Sequence, residues 1–413
     1  MKILYVSQSF FPSTGGVSYY LLWLGRRLAE KGHSPIFVNL KPSKRQSEEV
    51  IEGMKVYRTP KEGRLPQDVV SGYARFKELI LKVFHGKEDS VDRLFNKHLF
   101  GFEDYVSVNK AFEIRIRELV QTEKPDLIHI HDFQLLLLGQ MLDDLGIPLY
   151  FTWHIPFTEE VHRAWREFII KYMQFYKKNV FSTKPYINAA LKSGLAWNRV
   201  ACIPPFIDVE KPKSEFRKKY GIPKDEKLII CVARMDKLKG QHVLIEAASR
   251  LDLNYRIAFI GNGSFSKEVL KVNEKEEYHK ELKSKCDSLG ISNKVIFTGA
   301  ISRDMLMAAY SECDVVVLPS IQEGFGLAIT EGMAFGKPVI GTATGGIPTQ
   351  IWPGSNGYLV EPNNPASLGE AIRYILSNEE VAKKMGEWGR RAYQSGFSSE
   401  RGLNDHLALY GLL

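Results

Sequence analysis

Short apolar, β-branched runs alternate with helix-length amphipathic stretches almost from one end of this chain to the other. Strands that are apolar on both faces need cover on both faces, and a helix after each strand supplies it. The alternation therefore predicts an α/β class of parallel sheets sheathed by helices. In the first half, residues 2–7, 35–40, 126–131, 148–152, 180–182 and 200–203 read as strands. Residues 41–120 break the rhythm: they are charged, with aromatic-bearing helical stretches and one strand signal at 55–58, and read as a helical insertion centred on about 60–120. Pro204-Pro205 and a lysine-rich stretch ending in Gly221-Ile222-Pro223 read as a connector. A second strand series follows at 227–233, 255–260, 294–298, 314–319, 338–341 and 358–360. A length of 413 residues suits two domains, predicted at 1–205 and 206–395. The helix at about 396–413 is expected to pack back on the first.

Composition removes several classes. Hydrophobic residues make up 44% and charged residues 25%, which is globular usage and excludes disorder and low complexity. No apolar run approaches the ~18 residues of a membrane span, and the first residues read as a strand rather than a leader, so the expected location is cytoplasmic. Cys202, Cys231, Cys286 and Cys313 stand far apart without a C-x-x-C pair and are expected to be buried free thiols, with no metal site. Net charge is +8, and residues 1–200 hold 29 Lys and Arg against 22 Asp and Glu. Either that half faces something anionic, an acceptor or the inner face of a membrane at which the chain is peripheral, or it is a solvated basic surface. No recognition motif accompanies the charge, so nucleic acid is not an expected partner, and nothing in the pattern sets an oligomeric state.

In open parallel sheets, ligands bind outside the carboxyl ends of the strands. In the first half those ends carry Gly15-Gly16 at a helix start, His131-Asp132, and Trp153-His154. Adjacent glycines let backbone N–H groups approach an anion, or they serve a plain turn. Each histidine either donates a hydrogen bond to a ligand or is structural, and Asp132 either faces ligand or caps the next helix. In the second half, Arg234 and Lys239 emerge five positions apart, suited to clamping a diphosphate. Glu323 and Glu331 flank a turn, Gly324-Phe325-Gly326-Leu327, whose N–H groups suit phosphate while the carboxylates take hydroxyl groups. Gly345-Gly346 is a further candidate for the same crevice. Gly261-Asn262-Gly263 lacks the third glycine of a dinucleotide fingerprint, which sets a dehydrogenase aside.

The segment from Glu323 to Glu331 resembles the E-x7-E motif of retaining GT-B glycosyltransferases, particularly family 4, which includes glycogen and sucrose synthases. The likeness extends over the Gly15-Gly16 loop, His131-Asp132, Thr152-Trp153-His154, Arg234 with Lys239, and the Pro319-Ser320 to Glu331 block. It implies two Rossmann-like doubly wound domains facing a central cleft. It also implies catalytic roles for Glu323, His154, Arg234 and Lys239. Donor contacts fall on Gly15, Gly16, Arg234, Lys239, Glu323, Gly324, Phe325, Gly326, Leu327 and Glu331, and Asp132 and Trp153 lie on the acceptor side. Thr349-Gln350 stands where a glutamate is common, and no role is carried to it.

The activity implied is transfer of a hexose, glucose first, from a nucleotide sugar to a sugar, glucan or lipid hydroxyl, with retention. UDP-sugars come ahead of GDP- and ADP-sugars, and no cofactor is implied. The chain has no D-x-D to hold a metal on the diphosphate, so the basic pair is expected to serve instead. A GT-B nucleotide-sugar epimerase and a non-catalytic nucleotide- or polysaccharide-binding module remain the alternatives.

Overall fold

Eight strands form the sheet of the first unit, Met1–Pro204 with Gly402–Leu413. They are β1 (Lys2–Ser7), β2 (Ser34–Leu40), β3 (Glu48–Ile51), β4 (Met54–Thr59), β5 (Leu127–His131), β6 (Leu149–Thr152), β7 (Lys178–Phe181) and β8 (Val200–Cys202). The spatial order is β3-β4-β2-β1-β5-β6-β7-β8. Every pairing is parallel except β3 with β4. The computed structural model describes residues 1–413 except 13–14, 43–44 and 262–271, with the side chains of 272–276 also outside the description. At the centre, Ile3, Leu4, Tyr5 and Val6 of β1 are buried, as a strand covered on both faces requires.

The 41–120 region holds the helices expected of it, but it also carries a strand, β3, that the sequence did not mark. β3 and β4 extend the sheet at its edge, and β3 carries Glu48 and Glu49 instead of an apolar run. Buried Arg58 pairs with Glu49, and Arg115 reaches Glu48 at 2.7 Å, so ion pairs and antiparallel pairing hold a strand that apolar patterning does not mark. The helices Gln67–Phe84 and Phe102–Glu123 supply Tyr73, Phe76, Tyr105, Phe112 and Ile116 to the same core as Val38 and Ile130. They are a layer of this unit.

The chain's last helix, Ser399–Tyr410, inserts a polar seam into the first unit. The Tyr410 hydroxyl lies 3.0 Å from Tyr5 Oη and 2.6 Å from His129 Nδ1, and His406 Nε2 lies 3.0 Å from Tyr20 Oη. His129 closes on Thr152 Oγ1 at 2.8 Å, so each buried polar group in this seam has a partner.

The second unit, Pro205–Arg401, holds β9 (Lys227–Val232), β10 (Tyr255–Ile260), β11 (Val295–Gly299), β12 (Val315–Leu318), β13 (Val339–Thr342) and β14 (Gly357–Val360). All pairings are parallel, in the order β11-β10-β9-β12-β13-β14, around a core that includes Ile229, Phe259, Val317 and Ile340. Asn262 and Gly263 of the dinucleotide-like triplet lie outside the described residues. Cys231, Cys286 and Cys313 are buried free thiols, whereas Cys202, expected to be buried, is exposed at the end of edge strand β8. Among the described residues no helix is long and apolar enough to cross a membrane.

Replacing Tyr410 with Phe removes one hydroxyl and strands both Tyr5 Oη and a ring nitrogen of His129 in the core. The expected loss is about 1–3 kcal/mol, read as a lower denaturant midpoint at unchanged slope.

Candidate functional site

In the second sheet the strand order reverses at β9 and β12, and the loops after those two strands diverge there. After β9, Asp236 accepts from Leu238 N at 2.9 Å and so starts the single turn Lys237–Lys239. Gly240 ends it at φ 68°, with Pro319 O only 2.0 Å from where a Cβ would stand. Only glycine fits there, and Ile321 N donates to Leu238 O at 2.7 Å, so the two loops are locked together.

That lock carries Lys239 to Glu323. Their side chains pair at 2.9 Å, with 13% and 14% of each exposed. Glu323 also accepts from Ser320 Oγ at 3.1 Å and Gly324 N at 3.0 Å. Burial by itself pushes the Glu323 carboxyl up, but the Lys239 charge and these donors together hold it below the usual range. The helix Leu327–Ala334 follows, with no side-chain cap, so the free N–H end of its first turn lies at the cavity. That open cavity, ≈ 230 Å³, is lined by Lys239, Glu323, Gly326, Leu327, Ala328 and Glu331, with Val232, Ala233 and Leu318 behind them.

The structure thus brings together Lys239, Glu323, Gly326, Leu327 and Glu331 of the residues picked from sequence. Arg234 sits half-buried on the same loop but is not among the lining residues, and its carbonyl accepts from Gln241 Nε2 at 2.6 Å. Gly324 turns the chain, and the Phe325 ring packs against Phe397, out of the cavity. Gly345-Gly346 does not line the crevice. A Cβ on Gly345, at φ 56°, would meet Glu323 O at 1.8 Å, and Gly346 N donates to Gly324 O at 2.8 Å, so this pair buttresses the turn from behind.

Two residues that support this site were given no role from the sequence. Arg303 pairs with Glu331 at 2.6 Å and reaches Asp208 O at 3.3 Å. Gln350, fully buried, donates to Phe325 O at 2.6 Å and accepts from Thr330 Oγ1 at 2.7 Å, holding the turn and the helix after it in register. Neither lies in a motif; the partners are joined by folding across 20 or more residues.

In the first sheet the reversal falls at β1 and β5. Gly15 stands at the N-cap of the helix Gly16–Glu30, which also has no side-chain cap, and Gly16 is exposed. Asp132, directly after β5, adopts φ 72°, ψ 163°, a strained conformation for a residue with a Cβ. Its carboxylate is 4% exposed and accepts from His154 N at 3.1 Å, so it positions the His154 segment instead of offering a free face to an acceptor. Burial pushes the Asp132 carboxyl up to about 6, against the pull of the backbone N–H groups of His154 and Phe133. His154 Nε2 lies 3.0 Å from His131 Nδ1, and burial with the nearby His406 pushes the His154 ring down to about 3. His154 is therefore neutral at physiological pH.

Trp153 is a correction. The acceptor-side role assigned from sequence fails because the ring is 1% exposed, packed against Phe84 and Phe157, with Nε1 donating to Pro156 O at 3.3 Å.

A model of "Glycosyl transferases group 1" matches residues 212–392, and one of "Glycosyltransferase Family 4" matches residues 14–211. The D-inositol 3-phosphate glycosyltransferase of Corynebacterium urealyticum is 34% identical over 202 residues, 46% of this chain and 46% of that one. The chain thus spans about half the length of that curated relative. Sucrose-phosphate synthase from Thermosynechococcus elongatus superposes with a TM-score of 0.76 at 21% identity, over 100% of this chain and 98% of its own. Anabaena Alr3699/HepE in complex with UDP and glucose superposes at 0.72 and 18% identity, over 100% of both chains.

The strained, buried Asp132 gives a prediction with a definite sign. Its folded value, about 6, lies above its ordinary 3.8, so the folded state holds the proton more tightly and loses stability as pH rises through 6. Asp132→Asn keeps an oxygen acceptor for His154 N and is expected to be more stable than the parent by about 2–3 kcal/mol at pH 7, with the difference vanishing near pH 4. Melting curves across that range check it; a parent more stable at pH 7 contradicts it.

Proposed function

This chain belongs to the group 1, family 4 glycosyltransferases of GT-B fold, and on that premise we propose that it moves a hexosyl group from a nucleoside-diphosphate sugar to an acceptor hydroxyl with retention. The observation that carries the reading is the convergence, in one cavity at the second sheet's reversal, of Lys239, Glu323, an uncapped helix start and Glu331. Phosphate is met by cation and N–H groups, and hydroxyls by carboxylates on either side.

The bond that breaks joins the anomeric carbon to the diphosphate oxygen, which leaves with the electron pair. The acceptor oxygen bonds the same face, and its proton passes to the departing phosphate. Charge grows on the leaving group, so donors already in place lower the barrier. Lys239 supplies this charge on entry of the diphosphate, exchanging part of its pairing with Glu323, and Arg234 on the same loop is assigned the second cation. Glu323 is assigned the sugar hydroxyls and Glu331, oriented by Arg303, the ribose. In the first unit, Gly15, Gly16 and neutral His154 are proposed substrate contacts. No metal is required in this scheme, because the cations stand in for one.

UDP is the nucleotide we put first, then GDP and ADP, with glucose as the sugar. A thermal-shift panel of UDP-, GDP- and ADP-sugars at equal concentration tests this: the UDP-sugar is expected to raise the melting temperature most, since a ligand of the folded state adds stability that grows with the logarithm of its concentration relative to its Kd. No shift with any of the three contradicts the reading.

Lys239 is half of a largely buried pair, so Lys239→Ala alone leaves the Glu323 carboxylate without its counter-charge and is expected to cost stability as well as transfer. The double change Lys239→Ala with Glu323→Gln is expected to regain most of the melting temperature while transfer stays down by about 100-fold or more. Recovered transfer in the double variant removes Lys239 from the mechanism.

A further inference from the structure

Arg303 opens the helix Arg303–Glu312, and Tyr310 stands seven residues on, two turns later and so on the same face. Both residues meet the helix that follows the Glu323 turn. Arg303 Nη1 donates to Glu331 Oε1 at 2.6 Å, and the Tyr310 ring stacks on Phe335, with centroids 6.0 Å apart and planes 9° from parallel. The side chains of Arg303 and Glu331 are 31% and 10% exposed. The guanidinium also reaches Asp208 O at 3.3 Å, which anchors it on a second side. The Tyr310 hydroxyl is fully buried, with no hydrogen-bond partner among the described residues. Burial, and after it the charge of the neighbouring Glu331 carboxylate, pushes that phenol up, so it stays a donor across the physiological range.

One bond to Arg303 uses only part of a carboxylate's acceptor capacity, and Glu331 lines the cavity with the rest. Its place relative to the uncapped helix start is set by the helix itself: Glu331 comes four residues after Leu327, about 6 Å further along the axis at 1.5 Å per residue. A ribose linked through its 5′ oxygen covers a gap of that size between its phosphate and its hydroxyl edge. Held by Arg303, the carboxylate does not swing away for water when the cavity fills. A ligand that lacks the hydroxyl then leaves a desolvated acceptor unpaired, and that is how a polar site rejects an analogue more strongly than apolar contact does.

We propose that Arg303, backed by Tyr310, makes the cavity selective for ribonucleotide over 2′-deoxyribonucleotide diphosphates: it is a positioning residue that holds Glu331 where the ribose 2′-hydroxyl has to donate to it. The inference rests on the transferase reading and narrows its donor class, since sugars activated on a deoxynucleoside diphosphate are excluded.

The test is calorimetric titration of the full chain with UDP and, separately, with 2′-deoxy-UDP. The ratio of the two dissociation constants is the readout, because a change confined to the fold or to the phosphate contacts moves both nucleotides alike. The parent is expected to bind UDP about tenfold or more tightly than 2′-deoxy-UDP. Arg303→Met is expected to bring the two affinities to within about twofold of each other, and Arg303→Lys, which keeps a cation beside Glu331, to restore most of the preference. Tyr310→Phe, which removes one oxygen and keeps the ring on Phe335, is expected to lower the ratio by a smaller factor. Equal affinities in the parent, or an unchanged ratio in Arg303→Met, overturn the proposal, and an unchanged ratio in Tyr310→Phe removes Tyr310 from it. Absence of UDP binding to the parent defeats the transferase reading, whereas UDP binding without preference over 2′-deoxy-UDP defeats only this inference.

Discussion

A parallel sheet in which successive strands are added first to one side of a central strand and then to the other leaves two neighbouring loops heading apart. Both sheets here have this reversal, at β1 with β5 and at β9 with β12. The loops leave the sheet in different directions, so a cavity opens beyond the point where, as at Ile321 N and Leu238 O, their backbones meet. Lys239 and Glu323 come from the loops at one reversal, and Gln8 and Asp132 from those at the other. What each gap holds differs, but the reason for a site at that place is the same.

In the second unit the geometry is set by backbone contacts more than by side-chain choice. Gly240 against Pro319 O and Gly345 against Glu323 O are approaches no other residue permits, and they bring three loops together around the Glu323 turn. Gln350 then ties the turn's carbonyls to the helix that follows. A carboxylate and an ammonium held this way lose little entropy when a ligand arrives, which is the sense in which such a site is preorganised. The Lys239 charge beside it holds the Glu323 carboxyl below its usual range in spite of its small exposure.

The first unit solves a different problem, that of burying histidines. His129, His131, His154 and His406 lie close together, and burial first, then their mutual repulsion for the first three, holds their rings below the ordinary range. Kept neutral, they act as hydrogen-bonding groups that join β5, β6 and the last helix through Tyr410 and Tyr20. That seam makes residues 402–413 part of the first unit although they are the last in the chain.

Much of this was legible without coordinates. Apolar runs mark thirteen of the fourteen strands because a strand buried on both faces must be apolar throughout, and Glu323 with Glu331, and Arg234 with Lys239, each stand within a few residues of one another and so show as local patterns. The unread strand, β3, is held by Arg58 and Arg115, whose charge pairs leave no apolar signature. Trp153 shows the limit from the other side: a strand-end position suggests exposure, yet Phe84 comes from a helix about seventy residues earlier to cover it. Sequence by itself determined the α/β class, the two sheets and which residue types stand at the strand ends, since periodicity and local spacing are properties of the chain. Only the tertiary structure decided which of those residues face a cavity, which are walled in, and that Arg303 and Gln350 belong beside them, because burial and pairing depend on neighbours that the chain brings together only by folding.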